Sequence, residues 1–260
     1  MNGTLVQRWE GEFTFALRTL LMKDFRVRYR NMSLGVGWSL ANPLIMMSLL
    51  TFVFTRIFPS NEPNFPLFVL CGLIPFNFFT LAWATSTTAL IDNASLIKRT
   101  RFPREIVPVT VVLGNCVHFL IQLMLLLGMT LAFGKGINIY WLYIPVLVAL
   151  EILFVIGLAL AFSAIDVYIR DTRYVVESAN LVLFWLVPIF YSFKSIPQQY
   201  HDVYRFNPIA AVVLAFRNVL LEGQAPVGSI LFNLLVVSLL SFVIGVIVFE
   251  RLKKRFYDYL

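Results

Sequence analysis

The chain has 260 residues, 59% of them hydrophobic and only 13% charged, about half the charged share (~25%) of a soluble globular protein. A soluble fold of this size could not bury that much apolar surface, so part of its solvent is lipid; disorder and a collagen-like chain are excluded by the same figures, and two cysteines exclude a disulfide scaffold. The net charge of +7 would direct a soluble protein to nucleic acid, but in a membrane protein it makes the side on which the charges fall the decisive question.

The N-terminal arm, 1–33, carries Arg8, Arg18, Lys23, Arg26, Arg28 and Arg30 interleaved with acids, so a cleavable signal is not expected there. Phe13, Leu17, Leu20, Leu21, Phe25 and Tyr29 fall near one helical face. That pattern predicts an amphipathic helix lying in the membrane interface, either as an anchor or as a docking surface for a cytoplasmic partner. A spanning helix needs ~20 mostly apolar residues, and six stretches supply them: 34–58, 65–91, 106–133, 141–165, 174–193 and 226–249. The fifth includes Glu177 near its start. A shorter apolar stretch, 207–221, holds Arg217 and suits a re-entrant or interfacial helix before the last span. The expected fold is therefore all-α and integral to the membrane, with a six-span domain over 34–249 and a basic tail, 250–260. Sixteen of the 21 lysines and arginines lie in the arm, the 92–105 loop, the loop after Ile165 and the tail. This places both termini in the cytoplasm and accounts for the positive charge without nucleic acid.

No G-x-x-x-x-G-K-[ST] phosphate loop occurs, nor an H-E-x-x-H or clustered Cys/His set. Neither P-loop hydrolysis nor metal chemistry is expected of this chain, and no bound cofactor or metal. Cys71 and Cys116 fall inside spans, as small apolar packing. Asn115, His118 and Gln122 lie within an arc of ~60° at ~100° per residue, and Asn77, Thr80, Thr87 and Thr88 share a face of the second span. Such stripes are either walls of a hydrated conduit or interhelical hydrogen bonds. Glu151, deep in the fourth span, makes either a structural hydrogen bond or a proton relay. Pro43, Pro75, Pro108, Pro145 and Pro188 punctuate the spans, where each removes a backbone donor.

The run Arg28-Tyr-Arg-Asn-Met-Ser-Leu-Gly-Val-Gly-Trp38-Ser-Leu-Ala-Asn-Pro43-Leu resembles the approach to the first span of ABC-2 type permeases that export polysaccharides. Leu96-Ile-Lys-Arg-Thr-Arg-Phe-Pro-Arg-Glu105 is similar to that family's loop between spans two and three, and Asp166-Val-Tyr-Ile-Arg-Asp171 to the loop after span four. Phe184-Trp-Leu-Val-Pro188-Ile-Phe-Tyr191, Ile196-Pro197, Asn207-Pro208 and Phe216-Arg217 follow in the family's order. The resemblance covers nearly the whole chain. It implies a homodimer around a continuous channel in a bacterial inner membrane, working with two ATP-binding cassette subunits that hold the ATP and Mg. The implied substrate is a lipid-linked polysaccharide, O-antigen first, teichoic acid or capsule next. The resemblance also implies coupling to the ATPase through Phe25 of the arm and through Asn93, Ser95, Lys98, Arg99 and Arg101, with short re-entrant helices at the periplasmic mouth.

Guanidinium forks suit phosphate, which makes Arg28, Arg30 and Arg104 candidates for the carrier's pyrophosphate at the cytoplasmic entrance. Orientation by the inside-positive rule and attraction to anionic lipid is the other account of those charges. Candidate channel-lining residues are Phe76, Asn77, Phe79, Thr80, Trp83, Asn115, His118, Trp185 and Tyr191. For the aromatic ones, a lipid-facing belt is the alternative. Two rival functions share the composition: an ABC-2 exporter of a drug or small lipid, and a proton-coupled secondary transporter using Glu151 or His118.

Overall fold

The structure, a computed structural model, describes residues 18–19, 21–22, 37–58, 60, 62–99 and 103–259. Most of the predicted amphipathic helix of the arm, with Phe25, Arg28 and Arg30, lies outside the described residues, and so does Arg101. In chain order the described elements are α1 (Gly37–Phe52), prolonged by a π-turn at Val53–Ile57, α2 (Phe65–Thr87), two short helices α3 (Ala89–Asp92) and α4 (Ala94–Arg99), and α5 (Ile106–Ala132). There follow α6 (Tyr143–Asp166), α7 (Thr172–Leu186), α8 (His201–Phe206), α9 (Pro208–Arg217) with a π-turn at Asn218–Glu222, α10 (Gly228–Leu252) and α11 (Phe256–Tyr259). No strand occurs among the described residues. Among the described residues, five segments are long and apolar enough to cross a membrane: Gly37–Ile57, Phe65–Thr87, Ile106–Ala132, Ile139–Asp166 and Gly228–Arg255.

The expected fifth span, 174–193, departs from this pattern. Its helix, α7, has 15 residues and ends at Leu186, a length of ~22 Å at 1.5 Å per residue. Pro188 has no N–H to continue the ladder, and it pushes Val187 into an extended conformation (ψ 134°). The chain still reaches the opposite end of the bundle, because Ser192 and Lys194 line a cavity with Glu62 and Lys135, from the loops after α1 and α5. Irregular backbone at that depth is tolerated only inside protein, and Val187, Ile189 and Phe190 are all buried.

Every break in a helix frees carbonyls that lipid cannot solvate, and side chains supply the missing donors. Tyr191 Oη shares its proton between the carbonyls of Trp185 (3.1 Å) and Leu186 (3.0 Å), closing the end of α7. Arg217 Nη2 donates to the carbonyls of Ile189 (2.7 Å) and Phe68 (3.4 Å). Gly72 permits that approach, since a Cβ there would lie 3.1 Å from the Ile189 Cα. Pro43, inside α1, lacks the N–H that would reach the Ser39 carbonyl, and Gln122 Nε2 of α5 replaces it at 2.9 Å. The α9 unit is held at both ends. The Asn207 side chain accepts from the N–H groups of Ile209 and Ala210, with Pro208 at the first helical position. Beyond α9, Lys135 Nζ donates to the Leu221 carbonyl (2.9 Å) and Asn138 Nδ2 to that of Val219 (3.2 Å), and Gly223 turns the chain at φ 63°.

The most extensive helix contact is α6 on α10. Ser241 Oγ donates to the Phe154 carbonyl (3.0 Å), and Gly157 meets Gly245 backbone to backbone, a register that makes the two helices parallel. At the end where α6 and α10 finish, Leu90, Ile97, Val107, Leu160, Phe249 and Phe256 form a separate buried cluster that fastens α3 and α4 to α5, α6 and α10.

Candidate functional site

Between α1, α2 and α5 lies a cavity of about 340 Å³, at the lower end of small-ligand pocket sizes (~300–1,000 Å³). Asn42 of α1, Asn77 and Thr80 of α2, and Asn115, His118 and Gln122 of α5 line it. Beside them the rings of Phe78 and Phe119 stack with centroids 4.6 Å apart. Residues 115, 118 and 122 share one helical stripe, and that stripe is the cavity wall. The stripe forms interhelical hydrogen bonds and also borders the cavity. His118 Nδ1 bonds Ser39 Oγ (3.0 Å), Gln122 bonds the Ser39 carbonyl, and Asn115 Nδ2 donates to Thr85 Oγ1 (3.0 Å) and the Val111 carbonyl (2.9 Å). The same side chains that tie α5 to α1 and α2 thus face open volume with hydrogen-bonding groups. Asn42 was not among the expected lining residues; its signal is an amide next to Pro43 in a mostly apolar helix.

The aromatic candidates divide. Phe76, Phe79 and Trp83 are buried, packed against Phe184, Phe154 and Phe162 of α7 and α6. They follow an i, i+3, i+7 stripe, while Asn77 and Thr80 sit ~100° round the helix and face the cavity instead. Trp185 is 64% exposed on α7. Tyr191 closes the end of α7 and borders an outer depression together with Phe54, Phe58 and Phe190.

Of the coupling candidates, Asn93, Ser95, Lys98 and Arg99 lie on a helical elbow, α3–α4, at the opposite, basic end. Asn93 Nδ2 donates to the Ala89 carbonyl (2.9 Å), turning α3 into α4. Ile97 plugs the buried cluster, which leaves Ser95 and Lys98 exposed on the outward side. The Arg99 side chain lies outside what is described. Arg104, expected at the pyrophosphate entrance, is turned to the tail: Nη1 donates to the Lys253 carbonyl (2.7 Å) and the guanidinium lies 5.9 Å from the Phe256 ring centroid. Its donors serve the fold there. Glu151 is 3% exposed, and neither of its oxygens has a hydrogen-bond partner among the described residues. Ser238, which the α6–α10 register places opposite it, is likewise unpartnered.

These features define a multi-pass, all-α membrane protein with a polar cavity between its helices and an exposed helical elbow at its basic end. The chain belongs to the ABC-2 type transporter family, whose profile matches residues 16–221. It is similar to the O-antigen export system permease protein RfbA of Klebsiella pneumoniae, 29% identical over 239 residues that cover 92% of each chain. It is 27% identical over 242 residues to the protein of the same description from Myxococcus xanthus, covering 92% of this chain and 93% of the other. With the polysialic acid transport protein KpsM of Escherichia coli it shares 26% identity over 245 residues, 90% of this chain and 92% of the other.

Proposed function

We propose that this chain is the permease subunit of an ATP-driven exporter that moves a lipid-linked polysaccharide, O-antigen in the first place, outward across the bacterial inner membrane. The observation that carries this reading is the end-to-end similarity to proteins from three organisms, each described by the transport of a polysaccharide. The cavity between α1, α2 and α5 supports it, because amide, hydroxyl and imidazole groups beside aromatic faces suit a hydroxyl-rich solute. The chain acts as a homodimer with two ATP-binding cassette subunits, in which ATP and Mg reside. ATP closes those subunits onto the α3–α4 elbow, and Ile97 passes the motion to α5, α6 and α10 through the cluster it plugs. The chain crosses the membrane six times, five times as a helix and once as α7 plus the irregular stretch 187–192, with both termini in the cytoplasm.

Deleting the gene should leave lipid-linked glycan on the cytoplasmic face and strip it from the cell surface, with recovery on complementation. Unchanged surface glycan overturns the proposal. Export that persists in ATP-depleted vesicles under a proton gradient alone replaces it with proton coupling.

A further inference from the structure

The end of the bundle opposite the basic tail carries a second cavity, of about 410 Å³, enclosed by the loops after α1 and α5, the turn after α7 and the α9 unit. Three cations line it: Arg217, Lys135 and Lys194. Arg217 is only 5% exposed, and its guanidinium is clamped 3.5 Å from the Phe68 ring centroid. Of its donors only Nη2 is engaged by carbonyls, and the buried Nε has no partner among the described residues. A guanidinium fixed in place with donors to spare is a preorganised contact for an oxyanion. Lys135 commits one N–H to the Leu221 carbonyl, and Lys194 is exposed. Glu62 and Glu222 also line the cavity, but among the described residues neither forms an ion pair with these cations, which leaves one positive charge in surplus.

Through Glu62, Ser192 and Lys194 this cavity continues into a wider depression of about 680 Å³. The walls there are aromatic: Phe54 and Phe190 stack with centroids 5.1 Å apart, and Phe58 is 65% exposed. The exposed Phe58 ring, beside one fixed guanidinium and two lysines, matches a sugar ring that carries an acid, with C–H faces on phenylalanine, hydroxyls on Ser60 and Ser192, and the acid group on the cations. We propose that this cleft is a binding subsite for an acidic saccharide, a sugar unit bearing a carboxylate or a phosphate, at the outer mouth of the permease. The inference rests on the export reading above and adds to it the charge class of the glycan.

The test uses the full chain in nanodiscs, without ATP, titrated calorimetrically with hyaluronan tetrasaccharide, with chitotetraose as its uncharged counterpart, and with glucose 1-phosphate and inorganic phosphate. The expected result is that hyaluronan tetrasaccharide or glucose 1-phosphate binds about tenfold tighter than chitotetraose. Whichever of the two binds identifies the acid. That preference should shrink as salt rises and disappear in Lys194→Glu, and Phe58→Ala should weaken binding of the acidic sugar. Both substitutions are at exposed positions, so the variants are expected to fold. Equal affinity for charged and uncharged sugars, no binding of either acidic sugar, or an unaffected Lys194→Glu overturns the subsite. Inorganic phosphate binding as tightly as glucose 1-phosphate overturns its saccharide character. Surface glycan that survives deletion of the gene overturns the export reading instead, whatever the titrations show.

Discussion

At Gly157 the backbone of α6 lies directly against that of α10. A Cβ there would fall 2.4 Å from the Ser241 carbonyl carbon and oxygen, and one on Gly245 would fall 2.2 Å from the Gly157 carbonyl oxygen. Backbone atoms cannot rotate aside as side chains do. Gly157→Val should therefore destabilise the protein by about 2 kcal/mol or more, seen as earlier loss of the monodisperse peak on heating in detergent. Gly128→Ala is the control: nothing lies within 4 Å of its added carbon, and replacing a mid-helix glycine should be neutral or gain ~0.5–1 kcal/mol. Equal melting of the two variants would sink the close-crossing account. The contact has a signal in the sequence, small residues four apart at Ser241 and Gly245 and at Gly157 and Ala161. Arg217 was legible as a charge in an apolar stretch and as part of the Phe216-Arg217 motif, but not as a clamp on another element. Its chief partner, the Ile189 carbonyl, is freed by a helix break in a different element, and no local pattern points to it.

Proline and donor work as pairs between elements. If Gln122 stands in for the N–H that Pro43 lacks, then Gln122→Leu takes that donor from the Ser39 carbonyl at a cost of ~1–3 kcal/mol. Restoring an N–H with Pro43→Ala should remove most of that cost, so the double variant should unfold close to Pro43→Ala alone. Strictly additive melting shifts would refute the pairing. For the elbow, reversing Lys98, Arg99 and Arg101 to glutamate should abolish export and uncouple it from ATP hydrolysis by the partner. Transport and ATPase stimulation that both survive would remove this loop from the coupling path. Apolar length located in the sequence five helices that are long and apolar enough to cross a membrane, because twenty apolar residues must be helical in lipid. The same rule overran α7: counting apolar residues gives Pro188 no more weight than a kink, whereas here it ends the helix and commits Tyr191 to the carbonyls left behind.

The charge distribution makes a statement about the whole molecule that labelling can check. Cys71 and Cys116 are both buried, so a single introduced cysteine should react without interference from either. A membrane-impermeant maleimide should modify Ser195→Cys from outside intact spheroplasts and Ser95→Cys only in inverted vesicles. Labelling of both from one side would overturn the assigned orientation. Burial across the bundle is very uneven: 78% of the most apolar window of α2 is buried against 11% of that of α1. What fastens α1 to α5 includes two polar bonds at Ser39, to His118 and Gln122, bonds worth ~0.6 kcal/mol each in a bilayer. Of the five apolar helices, α1 is therefore the one least covered by its own chain. Parting α6 from α10 would break a backbone seam, while parting α1 from α5 would break the two bonds at Ser39 and open the polar cavity. During ATP turnover, deuterium uptake should rise along Gly37–Phe52 and stay flat in α6 and α10.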